Sequence, residues 1–176
     1  MSKNWKDTLN LPQTAFSMRA NLQRLEPTLI SQWEDSALYE QILKNRKEGP
    51  SFIFHDGPPY ANGQIHHGHI LNKVLKDIAV KFHWMTGHYC EFVPGWDCHG
   101  LPIEHQVEKK LGKKMREMSQ VEIRNACREY AERFVGIQRE GFKRLGILAD
   151  WDNPYTTLEH YYESAVVREL GKLIEK

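Results

Sequence analysis

Long apolar runs are missing from this sequence. None approaches the roughly 20 residues that cross a bilayer, and the N-terminal segment lacks the apolar core of a secretory signal, so no membrane insertion is expected. Cysteine is scarce. Cys90, Cys98 and Cys127 do not make a disulfide framework, and a reducing cytoplasm fits that usage. Net charge is nearly absent as well: at +1 overall, any contact with nucleic acid must come from a local patch rather than from general basicity. Internal repeats and low-complexity tracts are also lacking.

What is present fits a globular domain. The 176 residues are 40% hydrophobic and 27% charged, enough for one ordinary domain with a real core. Eight of the nine histidines fall between residues 55 and 105. The stretch from His55 to His69 reads His-Asp-Gly-Pro-Pro-Tyr-Ala-Asn-Gly-Gln-Ile-His-His-Gly-His. The apolar run Phe52-Ile53-Phe54 enters it, and a helix-period pattern from Ile70 to Met85 leaves it. Strand, stiff loop and helix in that order put a loop at the carboxyl end of a strand and aim a helix N-terminus at it. Open α/β sheets bind nucleotides at that place.

Residues 1–20 show no clean period, and Leu9-Asn10-Leu11-Pro12 reads as an extended arm. From Pro27, placed in a first helical turn, Leu29, Ile30, Trp33, Leu38, Ile42 and Leu43 form one apolar stripe, broken near Asp35-Ser36 and stopped by Gly49-Pro50. A buried parallel strand is predicted over Ser51–Phe54, ended by Asp56-Gly57-Pro58-Pro59, where two prolines fix φ and remove two donors. The next helix is predicted to turn Ile70, Leu71, Val74, Leu75, Ile78, Ala79 and Phe82 inward. Lys73, Lys76, Asp77 and Lys81 then face water or a partner, and Gly87 caps the end.

A second strand is predicted over Tyr89–Val93, ended by Pro94-Gly95. Trp96 to Gly100 follow as a second loop on the same rim, and Pro102 opens a helix to about Leu111. Lys109, Lys110, Lys113, Lys114 and Arg116 form a basic cluster with two readings, a solvated surface or a contact with a phosphate backbone. Ser119-Gln120-Val121-Glu122 is a capping box opening a long amphipathic helix that Gly146 ends. Thr156 with Glu159 looks like another, before a last helix that reaches Lys176 without a stop signal. Since an open α/β sheet needs more than two parallel strands, the chain is expected to be the first part of a longer protein.

The chemistry is concentrated in the two loops. A helix starting between His66 and His69 sets both rings near its N-terminus. There imidazole N–H groups, free backbone amides and the positive end of the helix dipole make an anion site. Gly68 lacks a Cβ, so a ring or phosphate can lie flat on the backbone. This suits adenylyl transfer, in which a carboxylate attacks the α-phosphorus of ATP and donors meet the charge that develops. A helix start with two surface histidines is the plainer reading. A zinc site drawn from His66, His69, Cys90, Cys98 and His99 is another, although no Cys-x-x-Cys pair accompanies them. Asp97 could hold the α-ammonium of an amino acid or cap the helix that follows Pro102. Trp96 reads as core packing.

The stretch Pro59 to His69 resembles the His-Ile-Gly-His signature of the class I aminoacyl-tRNA synthetases, with His67 where the signature has isoleucine. Pro94 to Glu104 resembles the second block of the same family. Leucyl enzymes usually carry Ala-Phe-Gly after the Trp-Asp and valyl enzymes His-Ala-Gly. Here Cys98-His99-Gly100 stands there, which resembles the isoleucyl branch. Asn72 to Asp77, Asn10 to Pro12 and Met18 to Leu22 fit that branch too, with Ser17 a minor departure where proline is common.

The resemblance implies an N-terminal arm and helix over residues 1–50, then the first half of a Rossmann-like parallel-sheet catalytic domain over 51–176. It implies ATP-dependent activation of isoleucine and transfer to the isoleucine-accepting tRNA. His66 and His69 would be catalytic. Pro59, Asn62, Gly63 and Gly68 would join them in binding ATP, and Gly57, Pro58 and Asp97 would hold isoleucine and its adenylate. ATP and Mg²⁺ are implied, with no metal ligand in this chain and zinc only in a C-terminal part beyond it; the full-length enzyme would be a monomer. The family's Lys-Met-Ser-Lys-Ser loop does not occur here, so the chain alone is expected to be weakly active or inactive. A small nucleotidylyltransferase shares the strand–loop–helix order, but the second block speaks against it. A fragment that binds without turnover is the non-enzymatic reading.

Overall fold

A computed structural model of the protein describes residues 8–9 and 19–175. Beyond Leu9, the extended arm expected up to Pro12 lies outside the described residues, as do Ser17 and Met18. The elements are α1 (Leu22–Asp35), α2 (Leu38–Arg46), α3 (His67–Met85), β1 (Gly95–Trp96) and α4 (Leu101–Leu111). A 3-10 helix (Gly112–Glu117), α5 (Gln120–Arg144), β2 (Tyr155–Thr156) and α6 (His160–Ile174) follow. The α/β expectation holds in a mostly helical form with a small parallel sheet.

Three extended segments make that sheet. In the middle, β1 pairs in parallel with β2, Gly95 opposite Tyr155 and Trp96 opposite Thr156. On the other edge, single parallel bridges join Ser51 to Tyr89 and Tyr60 to Asp97. The carbonyls of Pro50, Pro59 and Pro94 accept ladder bonds from Tyr89, Asp97 and Tyr155. Their nitrogens can donate none, which breaks the pairing into short pieces.

Two strand boundaries therefore shift. Ser51–Phe54 is extended but pairs only at its two ends of the Ser51 bridge, through Phe52 N–H to Tyr89 O and Tyr89 N–H to Pro50 O. The strand expected over Tyr89–Val93 has its regular part at Gly95–Trp96, beyond the Pro94-Gly95 pair that was to end it. Gly95 serves a close approach rather than a turn. A Cβ there would lie 2.1 Å from Cζ of Tyr155.

Helix α3 presents the opposite face from the one predicted. Lys73, Asp77, Val80 and Trp84 form its buried stripe. Leu71, Leu75, Ile78, Phe82 and Met85 are exposed, Leu71 to 63%. The buried charges are tolerated because each has a partner. Lys73 meets Asp56, Lys81 Nζ lies 2.5 Å from Asp77 Oδ2, and Asp77 Oδ1 accepts the Leu148 N–H at 3.2 Å. Burial nonetheless pushes the Asp77 carboxyl up, against the opposing pull of Lys81.

The helical frame otherwise follows local chemistry. Pro27 lies inside α1, not in its first turn, because the helix already begins at Leu22 after a left-handed Asn21. The stripe breaks where expected, at Ser36 and the left-handed Ala37. The Ser119–Glu122 capping box opens α5, and Gly146, with φ of +75°, follows its end. Thr156 belongs to β2, and α6 starts after Glu159 with no side-chain cap, so the second predicted capping box does not form. Among the described residues, no helix is long and apolar enough to cross a membrane. The core joins Trp96, Phe142, Phe92, Ile103 and Val80, with Trp151 packed against it.

Candidate functional site

The N-terminus of α3 is built by its own histidines. His66 is the N-cap, in extended conformation, and its Nδ1 accepts the N–H groups of Gly68 (3.1 Å) and His69 (3.4 Å). In return the His66 N–H donates to Nδ1 of His69 at 3.3 Å. The helix thus starts with a capping box made of imidazoles instead of Ser and Glu. The rings stack with centroids 3.8 Å apart and planes 22° from parallel. With both Nδ1 atoms accepting, the rings carry their protons on Nε2, and neither Nε2 has a hydrogen-bond partner among the described residues. The His69 imidazole sits below its ordinary range, first through burial and then through His66 and Lys73. A ring shifted that way is neutral at pH 7 and still a donor.

This geometry shows what lies against Gly68. A Cβ on it would come within 3.0 Å of Cε1 of His66, so the flat group resting on this glycine is the capping ring itself. The Nδ1 atoms and two of the end amides are also already engaged. What faces outward is the Nε2 edge of the pair.

The two loops are stitched together. Ala61 N–H donates to Asp97 O (2.9 Å) and Asp97 N–H to Pro59 O (2.8 Å). Gln138 of α5 anchors both at once. Its Nε2 donates to Tyr60 O (3.0 Å) and Gly63 O (2.8 Å), and its Oε1 accepts from Trp96 Nε1 at 3.0 Å. Tyr130 Oη donates to Asn62 O at 3.0 Å. The structure therefore brings Pro59, Asn62, Gly63 and Asp97 onto one framework. His69 joins it edge-on against Phe142, 6.3 Å between ring centroids, and Phe142 stacks on Trp96. Gly57 and Pro58 sit just before it, with Gly57 O held by Lys76 Nζ at 3.0 Å.

Asp97 does not cap α4. That helix begins after Gly100, at φ +84°, with no side-chain cap. Oδ1 of Asp97 accepts the His99 N–H (3.2 Å) and lies 3.5 Å from Thr157 Oγ1. Oδ2 has no hydrogen-bond partner among the described residues, and the side chain is half-buried. The arrangement offers a fixed carboxylate with one oxygen free to take a cation. Trp96 is fully buried, as expected of a packing residue.

Three supporting residues escape pattern reading. Asp56 is 1% exposed and its carboxylate takes Lys73 on Oδ2 and Lys76 on Oδ1, the latter at 2.6 Å. Its Oδ2 also accepts the Gly95 N–H (3.2 Å), and its carbonyl accepts from Tyr155 Oη (2.6 Å). Nothing in a helical period marks Lys73 as buried, since its partner lies in a preceding loop. Gln138 had a signal: it occupies a core position of α5 between Val135 and Phe142.

The remaining candidates do not assemble into a metal centre. Among the described residues, no three or more His, Cys, Asp or Glu side chains lie close enough together to hold an ion. Cys98 is buried and its thiol is pushed up to about 12, chiefly by burial. His99 Nε2 lies 2.9 Å from Thr157 O and 3.5 Å from Glu163.

A signature histidine pair at a helix N-terminus, beside a parallel sheet edge, defines a class that comparison with known proteins makes explicit. The chain belongs to the class I tRNA synthetases of the I, L, M and V group, whose family profile matches residues 28–176. Within that group it is similar to the isoleucine–tRNA ligase of Syntrophotalea carbinolica, at 54% identity over 98% of this chain and 19% of that protein. The isoleucine–tRNA ligases of Kosmotoga olearia and Lawsonia intracellularis match at 55% and 56% identity, again over 98% of this chain, with 19% and 18% of those proteins covered. The chain thus spans about a fifth of the length of these relatives. Among solved structures, it resembles LeuRS of Agrobacterium radiobacter K84, solved as a ternary complex with tRNA and LeuAMS. The TM-score is 0.68 at 19% identity, covering 89% of this chain and 18% of that one, a likeness of fold.

Proposed function

We propose that the whole protein activates isoleucine with ATP to isoleucyl-adenylate and transfers the isoleucyl group to its tRNA, with this chain supplying one half of the activation site. The observation that carries this reading is the imidazole cap of α3, in which Nδ1 of His66 and Nδ1 of His69 accept backbone N–H groups and leave Nε2 as the donor atom of each ring. The isoleucine carboxylate attacks the α-phosphorus of ATP, pyrophosphate leaves, and negative charge grows on the phosphate oxygens. His66 and His69 donate to those oxygens, with the α3 dipole behind them. Because their Nδ1 atoms are tied to backbone N–H groups, the donors are already oriented before substrate arrives.

The free Oδ2 of Asp97 takes the α-ammonium of isoleucine. The backbone of Gly57 and Pro58 shapes the adenylate site, Asn62 and Gly63 support the loop around the nucleotide, and Pro59 and Gly68 join them and the two histidines in binding ATP. The amino acid is supported by the names of the relatives, which are isoleucine–tRNA ligases at 53–56% identity. The described residues form no carboxylate cage for Mg²⁺, so they do not fit a resident ion; it would arrive on the triphosphate. Residues 1–50 act as an arm and helix, and residues 51–176 as the first half of the catalytic domain. The rest of that domain covers the apolar stripe of α3. The cysteine usage supports a cytoplasmic enzyme, and a monomer is the oligomeric state that the reading proposes.

The test is isoleucine-dependent pyrophosphate exchange by the full-length protein. His69→Ala should lower it by about 10²–10³-fold, the usual loss for one transition-state donor. Unchanged exchange in the variant removes the histidines from the mechanism. Adenylylation of a phosphate-bearing acceptor, with no dependence on an amino acid, replaces the reading with a nucleotidylyltransferase.

A further inference from the structure

Charge on this chain is segregated. From Lys109 to Arg116 there are five cations in eight residues and no acid, which leaves the remainder of the chain at −4 given the total of +1. The fold then gathers these cations. Gly112, with φ of +56°, turns the backbone from α4 into the 3-10 helix. The turn closes a groove of about 490 Å³ lined by His105, Glu108, Lys109, Lys113, Met115 and Arg116. Met115 also lines the neighbouring cavity of about 560 Å³, where Arg124 and Arg128 stand with Glu104 and Glu163.

Among the described residues, Lys109, Lys110, Lys113, Lys114 and Arg116 have no carboxylate within ion-pair distance, while Lys143, Arg144 and Lys172 on other surfaces do. Lys114 is nonetheless near enough to help lower the Glu122 carboxyl, after the hydrogen bonds from Ser119. Lys109 and Lys110 lie in the last turn of α4, where they complement the helix dipole. That accounts for two of the five. Lys113 lies past the end of α4, and Lys114 and Arg116 fall in the last turn of the short 3-10 helix. Clustering them costs mutual repulsion, which a polyanion relieves.

We infer that the groove between α4 and the 3-10 helix is a contact for the phosphate backbone of RNA, with Lys109, Lys113 and Arg116 as its anchors. The partner is an RNA rather than a free nucleotide, because five cations spread over the end of α4 and the 3-10 helix exceed what the phosphates of one nucleotide neutralise. Naming that RNA as the isoleucine-accepting tRNA rests on the proposed function. The contact reads backbone charge, not bases, and its signature is dependence on salt.

The experiment measures tRNA binding to the full-length protein by fluorescence anisotropy between about 50 and 200 mM salt, the range over which counterion release is readily seen. Lys109→Gln/Lys113→Gln/Arg116→Gln should weaken binding about tenfold or more and flatten the slope of log K against log salt by about 2, since each backbone contact contributes roughly 0.7–0.9. Lys109→Arg/Lys113→Arg/Arg116→Lys should keep both. Isoleucine-dependent pyrophosphate exchange, which needs no RNA, should be normal in the two variants and so reports that they are folded. An unchanged slope and affinity in the glutamine variant overturns the inference. So does equal loss in the charge-conserving variant, which would mark shape rather than charge. Loss of binding to polyglutamate with tRNA binding intact overturns it in favour of an acidic polypeptide. Absence of exchange in the unaltered protein sinks the proposed function but leaves this result readable, because backbone contacts are indifferent to which tRNA serves as probe.

Discussion

The ammonium of Lys73, on the second turn of α3, meets the carboxylate of Asp56, 17 residues earlier in the loop, with both side chains almost wholly buried. Lys76 takes the other carboxylate oxygen and remains partly exposed. The ammonium also lies 5.2 Å from the centroid of the Phe142 ring. One acid thereby ties the first loop to α3, and through the Gly95 N–H to β1.

Removing that acid should be costly. Asp56→Ala leaves the Lys73 charge buried and unpaired, and is expected to lower stability by about 3–5 kcal/mol in denaturant titration. Lys73→Met should cost less, because Lys76 continues to satisfy Asp56. Burial already depresses the Lys73 ammonium below its ordinary range, against the upward pull of Asp56. Without Asp56 the depression deepens, so the unfolded chain binds more protons than the folded one and stability rises with pH. The deficit of Asp56→Ala should therefore shrink between neutral pH and about pH 10, the usual lysine range. A deficit independent of pH would show that the lysine charge is not its cause.

Gln138→Leu tests the clamp between the two loops. It keeps the volume and apolar phase of α5 but abandons Trp96 Nε1 and the carbonyls of Tyr60 and Gly63. Each buried polar group left without a partner costs about 1–3 kcal/mol, so a loss of at least about 2 kcal/mol is expected. Amide hydrogen exchange should quicken first at Ala61 and Asp97, whose N–H groups hold the loops together. Protection at these two that is unaltered would mean the sheet edge alone sets the spacing.

Gly95 should accept no side chain while Tyr155 stays. The added methyl of Gly95→Ala meets the tyrosine ring and is expected to cost about 1–3 kcal/mol or more through overpacking. Pairing it with Tyr155→Ala should recover part of that loss, as a double-mutant cycle reads directly. Simple additivity of the two single changes would locate the fault elsewhere.

His69 should titrate below the usual imidazole range of about 6.5, with its neutral form protonated on Nε2, as nitrogen-detected NMR can read. His66→Asn keeps a side-chain cap but deletes a neighbouring cation at low pH, so the His69 value should move up. Because the folded value is depressed, the contribution to stability is present above about pH 6.5 and is lost as pH falls through the folded value. An Nδ1–H tautomer would contradict the capping geometry.

The order of elements and the loop chemistry were readable because they rest on local rules. Prolines and glycines stop the strands, Ser119 and Glu122 cap α5, and the spacing of His66 and His69 fits a helix start. Long-range pairing is what a periodic pattern misses. The apolar stripe of α3 predicts its buried face only when polar positions stay in water, and Asp56 and Lys81 allow Lys73 and Asp77 to go under instead. The sheet was misplaced by a few residues for a similar reason. Gly95 reads as a turn residue, yet it pairs in β1 because Tyr155 needs its missing side chain.

The α3 stripe from Leu71 to Met85 has a practical outcome for anyone handling this polypeptide by itself. Five large greasy side chains wet by solvent invite copies to stick to one another. Solubility should fall steeply with added ammonium sulfate, which strengthens apolar association, and should improve when Leu75 and Ile78 are exchanged for glutamate. A preparation behaving this way is showing the exposed face of α3, not a misfolded core.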